Sequence, residues 1–143
     1  MKKSFSLQGT IGFTFFLWAV LAARSSFAQG WQLSTLHSFG NPAASANRPS
    51  SGVILASDGK LYGTANGGTH NAGVIFRSNK DGSGFQIIHD FDPGIYGNDA
   101  YGPLAGLLEA SDGKLYGTTL GGGLQLGGTI FCLNTDGTGF QVI

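Results

Sequence analysis

The sequence predicts an all-β fold built from two copies of one repeat, and three observations lead to this fold class. Residues 56–64 recur without change at 110–118, which is 54 positions later. Short apolar runs alternate with Asp-Gly and Gly-Gly pairs, which are typical of tight turns between β-strands. No stretch beyond residue 28 has helical periodicity over two turns. We therefore expect two four-stranded antiparallel blades of the β-propeller type, an incomplete propeller preceded by a helical signal peptide.

Residues 1–28 have the three parts of a secretion signal in the expected order. Lys2 and Lys3 give a positive start, and an uncharged apolar stretch of 13 residues follows at 11–23. Ser26 and Ala28 are small residues at positions −3 and −1 of a cleavage site. The apolar stretch is shorter than the ~20 residues of an ordinary membrane span. We predict cleavage after Ala28, a secreted, periplasmic or cell-surface location, and no stable membrane span after cleavage. The alternative is an uncleaved N-terminal anchor.

Composition and charge exclude several classes of protein. Glycine supplies 25 of the 143 residues, but without the Gly-x-y period of collagen. After signal removal, five basic residues remain against eight acidic ones, a net charge of −3. Because no basic patch remains, we expect no nucleic-acid partner. Cys132 is the single cysteine, so no internal disulfide is available. We interpret it as a small apolar strand residue, with pairing to another molecule as the alternative.

Each copy contains four runs typical of β-strands. They lie at 52–56, 61–65, 74–78 and 85–91 in the first copy, and at 106–110, 115–119, 129–133 and 140–143 in the second. The domain limits that follow are 1–28 for the signal peptide and 29–143 for the repeats, with repeat 1 at about 31–91 and repeat 2 at about 92–143. The offset between copies rises from 54 to 55 downstream, so one residue is inserted in the Gly-rich loop of repeat 2.

Residues 31–39 resemble the fourth run of a repeat without the three runs that should precede it. In closed propellers such a strand completes the last blade, so we predict a strand here. A solenoid of β-hairpins is the alternative architecture. Because propellers have about four to eight blades, two copies need either further repeats of a longer chain or self-association to complete the fold.

The repeated residues resemble the GloVer tandem repeat of exported bacterial proteins described as choice-of-anchor. The resemblance rests on Ala-Ser-Asp-Gly-Lys-Leu-Tyr-Gly-Thr, then Gly-Gly, then Gly-x-Ile-Phe and Asp-Gly, in the same order in both copies. The Asp-Gly-x-Leu-aromatic-Gly-Thr core is also similar to propeller repeats in the sensor domains of bacterial two-component regulators. The resemblance implies a secreted or surface-anchored protein with propeller-like blades and no assigned activity.

Polar residues that recur in both copies are interpreted as scaffold. We expect Asp58 to cap its own turn through the backbone two residues on, and Tyr62 to fill the core while its hydroxyl reaches a partner. The same interpretation covers Asp112, Tyr116, His37, His89, Thr64 and Thr118. Residues 90–99 include Asp90, Asp92 and Asp99, whose oxygens are of the type calcium prefers. Their spacing is not that of an EF-hand, so we interpret the stretch as a solvated turn and expect no metal and no cofactor.

Function is expected in the loops that differ between the copies, since loops on a rigid scaffold commonly carry binding sites. Residues 66–72 differ from 120–127, and 40–48 differ from 92–102. The candidate ligand-binding residues are Asn66, His70, Asn71, Tyr96, Asn98, Asp99 and Tyr101. Tyr and Asn side chains suit an extracellular carbohydrate or protein ligand through stacking and hydrogen bonds.

We see no catalytic arrangement of residues, and we predict a non-catalytic binding module. The alternative is the N-terminal fragment of an exported propeller enzyme that acts on glycans. A cluster of carboxylates or histidines near the central axis, present in only one blade, would favour the enzyme.

Overall fold

The computed structural model describes residues 33–40, 46–93 and 100–143. In these ranges the chain has eleven strands in three antiparallel sheets, and no helix. None of the described sheets closes into a barrel. The predicted all-β class is confirmed for this part of the chain. The predicted signal peptide and its cleavage site lie outside the described residues.

Repeat 1 forms a five-stranded sheet. Its strands are β1 (Ala46–Pro49), β2 (Ile54–Leu55), β3 (Leu61–Gly67), β4 (Val74–Ser78) and β5 (Gln86–Asp90). The order is β1-β3-β4-β5, and β2 also pairs with β3. Because β4 occupies one edge of β3, β1 and β2 share the other edge and act as one interrupted strand. The result is an antiparallel meander with four strand positions, the first of which is shared by β1 and β2.

Repeat 2 repeats this arrangement with one break. Its strands are β6 (Ala100–Tyr101), β7 (Leu108–Glu109), β8 (Lys114–Thr118), β9 (Gly121–Gly122), β10 (Ile130–Asn134) and β11 (Gln141–Val142). One sheet has the order β11-β10-β8-β7, and β6 pairs with β9 separately. Thus β8 and β9 together correspond to the single strand β3.

The extra residue of repeat 2 explains this break. Thr118 pairs with Ile130, as Thr64 pairs with Ile75 in repeat 1. Gly122 then pairs with Ala100, with the offset already increased by one. The inserted residue therefore lies between β8 and β9, at the start of the Gly-rich loop and not in its middle.

Each of the eight predicted runs within the repeats overlaps a strand, and 74–78 matches β4 at both ends. Two predictions fail at the edges. The short strands β1 and β6 were not predicted, because they carry little apolar pattern and are defined by their pairing with β3 and β9. The strand predicted at 31–39 is wrong for 33–40, which contains no strand. A strand needs a paired neighbour, and no described strand pairs with this segment.

The larger hydrophobic core lies between the two repeats, within the compact unit Thr35–Ile143. We call the side of a repeat that meets the next repeat its forward face, and the opposite side its backward face. The forward face of repeat 1 supplies Ala56, Tyr62, Ala72 and Ile75. The backward face of repeat 2 supplies Leu107, Leu115, Phe131 and Leu133. Alternation along the strands sends successive side chains to opposite faces, so both faces of each sheet carry apolar residues.

A His-x-Phe segment lies over the junction between the repeats. The His89 ring stacks on Phe140 with centroids 3.9 Å apart, and Phe91 meets Phe131 edge-on at 5.5 Å. Phe91 is fully buried. Gly117 makes room for this packing, because a Cβ there would collide with the Phe131 ring.

The same contacts recur at the start of the described chain. The His37 ring stacks on Phe85 at 3.8 Å, and Phe39 meets Phe76 at 5.2 Å. Residues 36–39 therefore occupy, on repeat 1, the place that 88–91 occupy on repeat 2. The sequence predicts that residues 31–39 correspond to the last run of a repeat. Their packing agrees with this correspondence, although residues 33–40 form no strand.

Candidate functional site

The antiparallel meander sends its connections to two opposite ends of each repeat. In repeat 1 the Asp-Gly turns at 56–60 and 79–85 lie at one end, which we call the turn end. The loop at 67–73 and the connection that begins at 91 lie at the other, the loop end. The recurrent aspartates occupy the turn end, and the described ligand-binding candidates, Asn66, His70, Asn71 and Tyr101, lie at the loop end.

At the turn end, the first Asp-Gly turn is capped as predicted. Asp58 accepts hydrogen bonds from the backbone N–H of Lys60 at 3.0 Å and from the Tyr62 hydroxyl at 2.7 Å. Asp112 accepts the equivalent bonds from Lys114 and Tyr116 in repeat 2. Burial, together with the Asp58 carboxylate, raises the pKa of Tyr62 to about 12. These side chains are engaged with one another and serve the scaffold.

The second turn of each repeat is capped in the same way. Asp81 accepts from the Ser83 hydroxyl at 2.7 Å and from its N–H at 3.0 Å. Asp136 accepts from the hydroxyl of Thr138 at 2.7 Å and from its N–H at 2.9 Å. These bonds lower the pKa of both carboxyl groups, and the Lys114 and Tyr116 bonds lower that of Asp112. The pKa of Asp58 is also lowered: desolvation of its carboxylate opposes the shift, but the bonds from Lys60 and Tyr62 outweigh it.

We expect these four turns to make the fold acid-sensitive. A carboxyl group with a lowered pKa in the folded state contributes stability above its unfolded pKa, near 3.9, and loses it as pH falls through the folded value. Urea unfolding measured from pH 7 down to pH 2 should therefore show stability falling below about pH 4. Replacing the four aspartates by asparagine keeps an acceptor for each turn but removes the titrating group. A variant with an unchanged acid slope would contradict this assignment.

At the loop end, the predicted residues have different surroundings. Asn66 is half-buried, and its Nδ2 donates to the carbonyl oxygen of Arg48 at 3.4 Å, so it holds the edge strand. His70 and Asn71 are exposed. His70 Nδ1 lies 3.8 Å from Asp92 Oδ1. Asn71 has a φ of 54°, a left-handed conformation that asparagine tolerates well.

Tyr101 lies on the same end, with its ring over Gly121 and 38% of its surface exposed. A backbone bond from Gly102 N–H to the Ala72 carbonyl, at 2.7 Å, holds its strand against the loop of repeat 1. The structure thus brings His70, Asn71 and Tyr101 to one end of the molecule. Three further candidates, Tyr96, Asn98 and Asp99, lie outside the described residues.

Two apolar grooves are lined by other residues than these candidates. A groove of about 320 Å³ lies on the backward face of repeat 1 and includes His37, Phe39, Pro49, Val53 and Phe85. A second, of about 690 Å³, lies on repeat 2 and includes Thr118, Gly128, Ile130, Val142 and Ile143. Sequence reasoning did not find these grooves. Apolar residues at equivalent positions of both copies indicate an apolar face on each repeat. The sequence does not show on which copy that face is buried against another repeat.

The Asp-rich stretch contributes to loop structure. Both the N–H and the hydroxyl of Thr69 donate to the Asp90 carboxylate, at 2.9 and 2.7 Å, which fixes the Gly-Gly loop. Among residues 33–40, 46–93 and 100–143, no three His, Cys, Asp or Glu side chains converge as metal ligands. Cys132 is a buried residue of β10 with no disulfide partner among the described residues. The described part of the chain has no helix long and apolar enough to cross a bilayer.

Comparison with known proteins identifies the repeat. Searches of curated proteins and of solved structures found no match. A family model described as the Gloeobacter/Verrucomicrobia repeat matches residues 24–143, which includes both copies. This match confirms the GloVer resemblance carried by the repeated residues. The chain therefore belongs to the Gloeobacter/Verrucomicrobia repeat family.

Proposed function

We propose that the chain is a secreted or cell-surface, non-catalytic repeat protein that binds an extracellular ligand, a carbohydrate or a protein, at its loop end. Cleavage after Ala28 releases the repeat region, 29–143, in which each repeat acts as a propeller-like blade. Two facts support the assignment of blades. Each repeat is an antiparallel meander with four strand positions, and each has apolar residues on both faces.

One observation carries the binding proposal. The Asp and Tyr residues shared by the first turns of the repeats are hydrogen-bonded to one another, whereas His70 and Asn71 in a loop and Tyr101 in β6 are exposed in segments that differ between the copies. The Gly102–Ala72 backbone bond fixes these segments against each other. A ligand meeting them would therefore find a preformed surface and a low ordering cost.

The test begins with the full chain expressed in a bacterium. The exported product should begin at Gln29, as measured by N-terminal sequencing. It is then screened on a glycan array, followed by extracellular proteins. In the double variant His70→Ala and Asn71→Gly, glycine keeps the left-handed backbone while both side chains are lost. We expect binding of the selected ligand to weaken by about tenfold or more.

Lys80→Ala is the matched control, because Lys80 is exposed at the turn end of the same repeat. It should leave binding unchanged. Equal binding by the double variant and the wild type, or equal loss in the Lys80 control, would place the ligand elsewhere and refute the loop-end proposal.

A further inference from the structure

Equivalent side chains of the two repeats are buried to different extents. Ile75 and Ile130 occupy equivalent positions in β4 and β10, yet Ile75 is 0% exposed and Ile130 is 54% exposed. Tyr62 is fully buried, whereas its counterpart Tyr116 is only half-buried. The forward face of repeat 2 thus has the same chemistry as that of repeat 1, but within the described residues no other repeat packs on it.

The backward faces differ in the opposite sense. Leu107 of repeat 2 is 6% exposed, and its counterpart Val53 in repeat 1 is 51% exposed. Pro103 is fully buried, whereas Pro49 is exposed. Residues 36–39 already cover the place on repeat 1 that 88–91 cover on repeat 2. The rest of that face is the groove of about 320 Å³.

The contact between repeats 1 and 2 within the chain shows how a forward face and a backward face pack together. There the Pro103 ring lies against Gly73, and Thr64 Oγ1 donates to the Ala105 carbonyl at 3.1 Å. The counterpart of Gly73 is Gly128, which lines the open groove on repeat 2. The counterpart of Thr64 is Thr118, which is exposed and lines the same groove. This groove is therefore the place where the proline of a following repeat would lie.

We propose that repeat 1 of a second copy of this chain docks, through its backward face, on the forward face of repeat 2. Pro49 and Val53 of one copy would then lie against Gly128 and Ile130 of the other. The contact is head-to-tail, so each copy uses one face of each kind and further copies can be added. The ligand site is proposed at the loop end. This inference about docking goes beyond that proposal and is independent of it.

The contact between copies lacks two polar bonds of the internal junction. Glu109 accepts from Ser57 at 2.7 Å within the chain, but the counterpart of Glu109 in repeat 1 is Leu55. Arg77 donates to the Thr135 carbonyl at 3.1 Å, but the counterpart of Arg77 in repeat 2 is Cys132. We therefore expect docking to depend on concentration.

The test uses light scattering or sedimentation of the full exported chain. The wild type should grow in mass as its concentration rises. Ile130→Asp removes the forward face and Val53→Asp the backward face, and both positions are exposed enough to accept a charge without unfolding a single copy. Each variant alone should stay monomeric. An equimolar mixture should form dimers and nothing larger, because one intact face of each kind remains.

Two control variants separate this contact from other association. Lys80→Asp introduces a carboxylate at an exposed position of the turn end that lines neither groove, and it should associate like the wild type. Leu108→Asp, at a position 65% exposed on the forward face, should repeat the effect of Ile130→Asp if that variant misfolds. A monomeric wild type, single variants that still associate, or a mixture that stays monomeric would each overturn the proposal. Loss of ligand binding without loss of association would affect only the loop-end proposal.

Discussion

Replacing Phe91 by alanine is expected to lower the free energy of unfolding by about 3–5 kcal/mol. The ring is fully buried and meets both Phe131, at 5.5 Å, and Phe140, at 5.7 Å. Its backbone N–H also bonds to the Gly73 carbonyl at 3.0 Å, so the surrounding chain is held and cannot collapse easily into the cavity. Urea or thermal unfolding of the exported chain measures the loss.

Phe39→Ala is the matched control, since Phe39 makes the equivalent contacts with Phe76 and Phe85. It is only half-buried, and in the described part of the chain no second repeat packs on its other side. We expect this substitution to cost about 1–2 kcal/mol, in proportion to the smaller area it buries. Equal losses in the two variants would mean that the junction between the repeats is not the main core.

The second large effect is expected for Gly137→Ala. Gly137 has a φ of 92°, and a Cβ at this position would collide with the carbonyl oxygen of Ile88 on the neighbouring repeat. The left-handed conformation alone costs a residue with a Cβ roughly 1–2 kcal/mol, and displacing backbone atoms adds about 1–3 kcal/mol. We expect a total loss of about 2–5 kcal/mol in the free energy of unfolding.

Gly113→Ala separates these two causes. Gly113 has a φ of 77°, but nothing lies within 4 Å of a Cβ placed there. Its loss should be limited to the conformational cost, about 1–2 kcal/mol. If both variants lose the same stability in urea unfolding, the close approach of Ile88 to Gly137 does not restrict the chain.

Local chemistry explains why much of the fold could be predicted. The Asp-Gly turns fix the hairpins, because aspartate caps the turn and glycine accepts positive φ, and both are visible in a few consecutive residues. The caps on Asp58 and Asp112 follow from this reasoning. Strand β4 matches its prediction because its apolar residues continue without a break between two turn signals.

What could not be predicted depends on neighbours distant in sequence. Ile75 and Ile130 lie in nearly identical contexts, yet one is buried and the other is not, because coverage comes from another repeat. Strands β1 and β6 exist only through their partners. Among the candidate site residues, Asn66 differs from His70 because its amide reaches a backbone carbonyl across the sheet. No pattern within its own strand indicates that contact.

Strand β5 and the two residues that follow it have a consequence for how the protein unfolds. The backbone of β5 is bonded to β4, so it belongs to the sheet of repeat 1, while His89 and Phe91 pack on rings of repeat 2. Opening either sheet therefore exposes the core of both. The two repeats should therefore unfold together in one cooperative transition, although the sequence repeats one unit at a time.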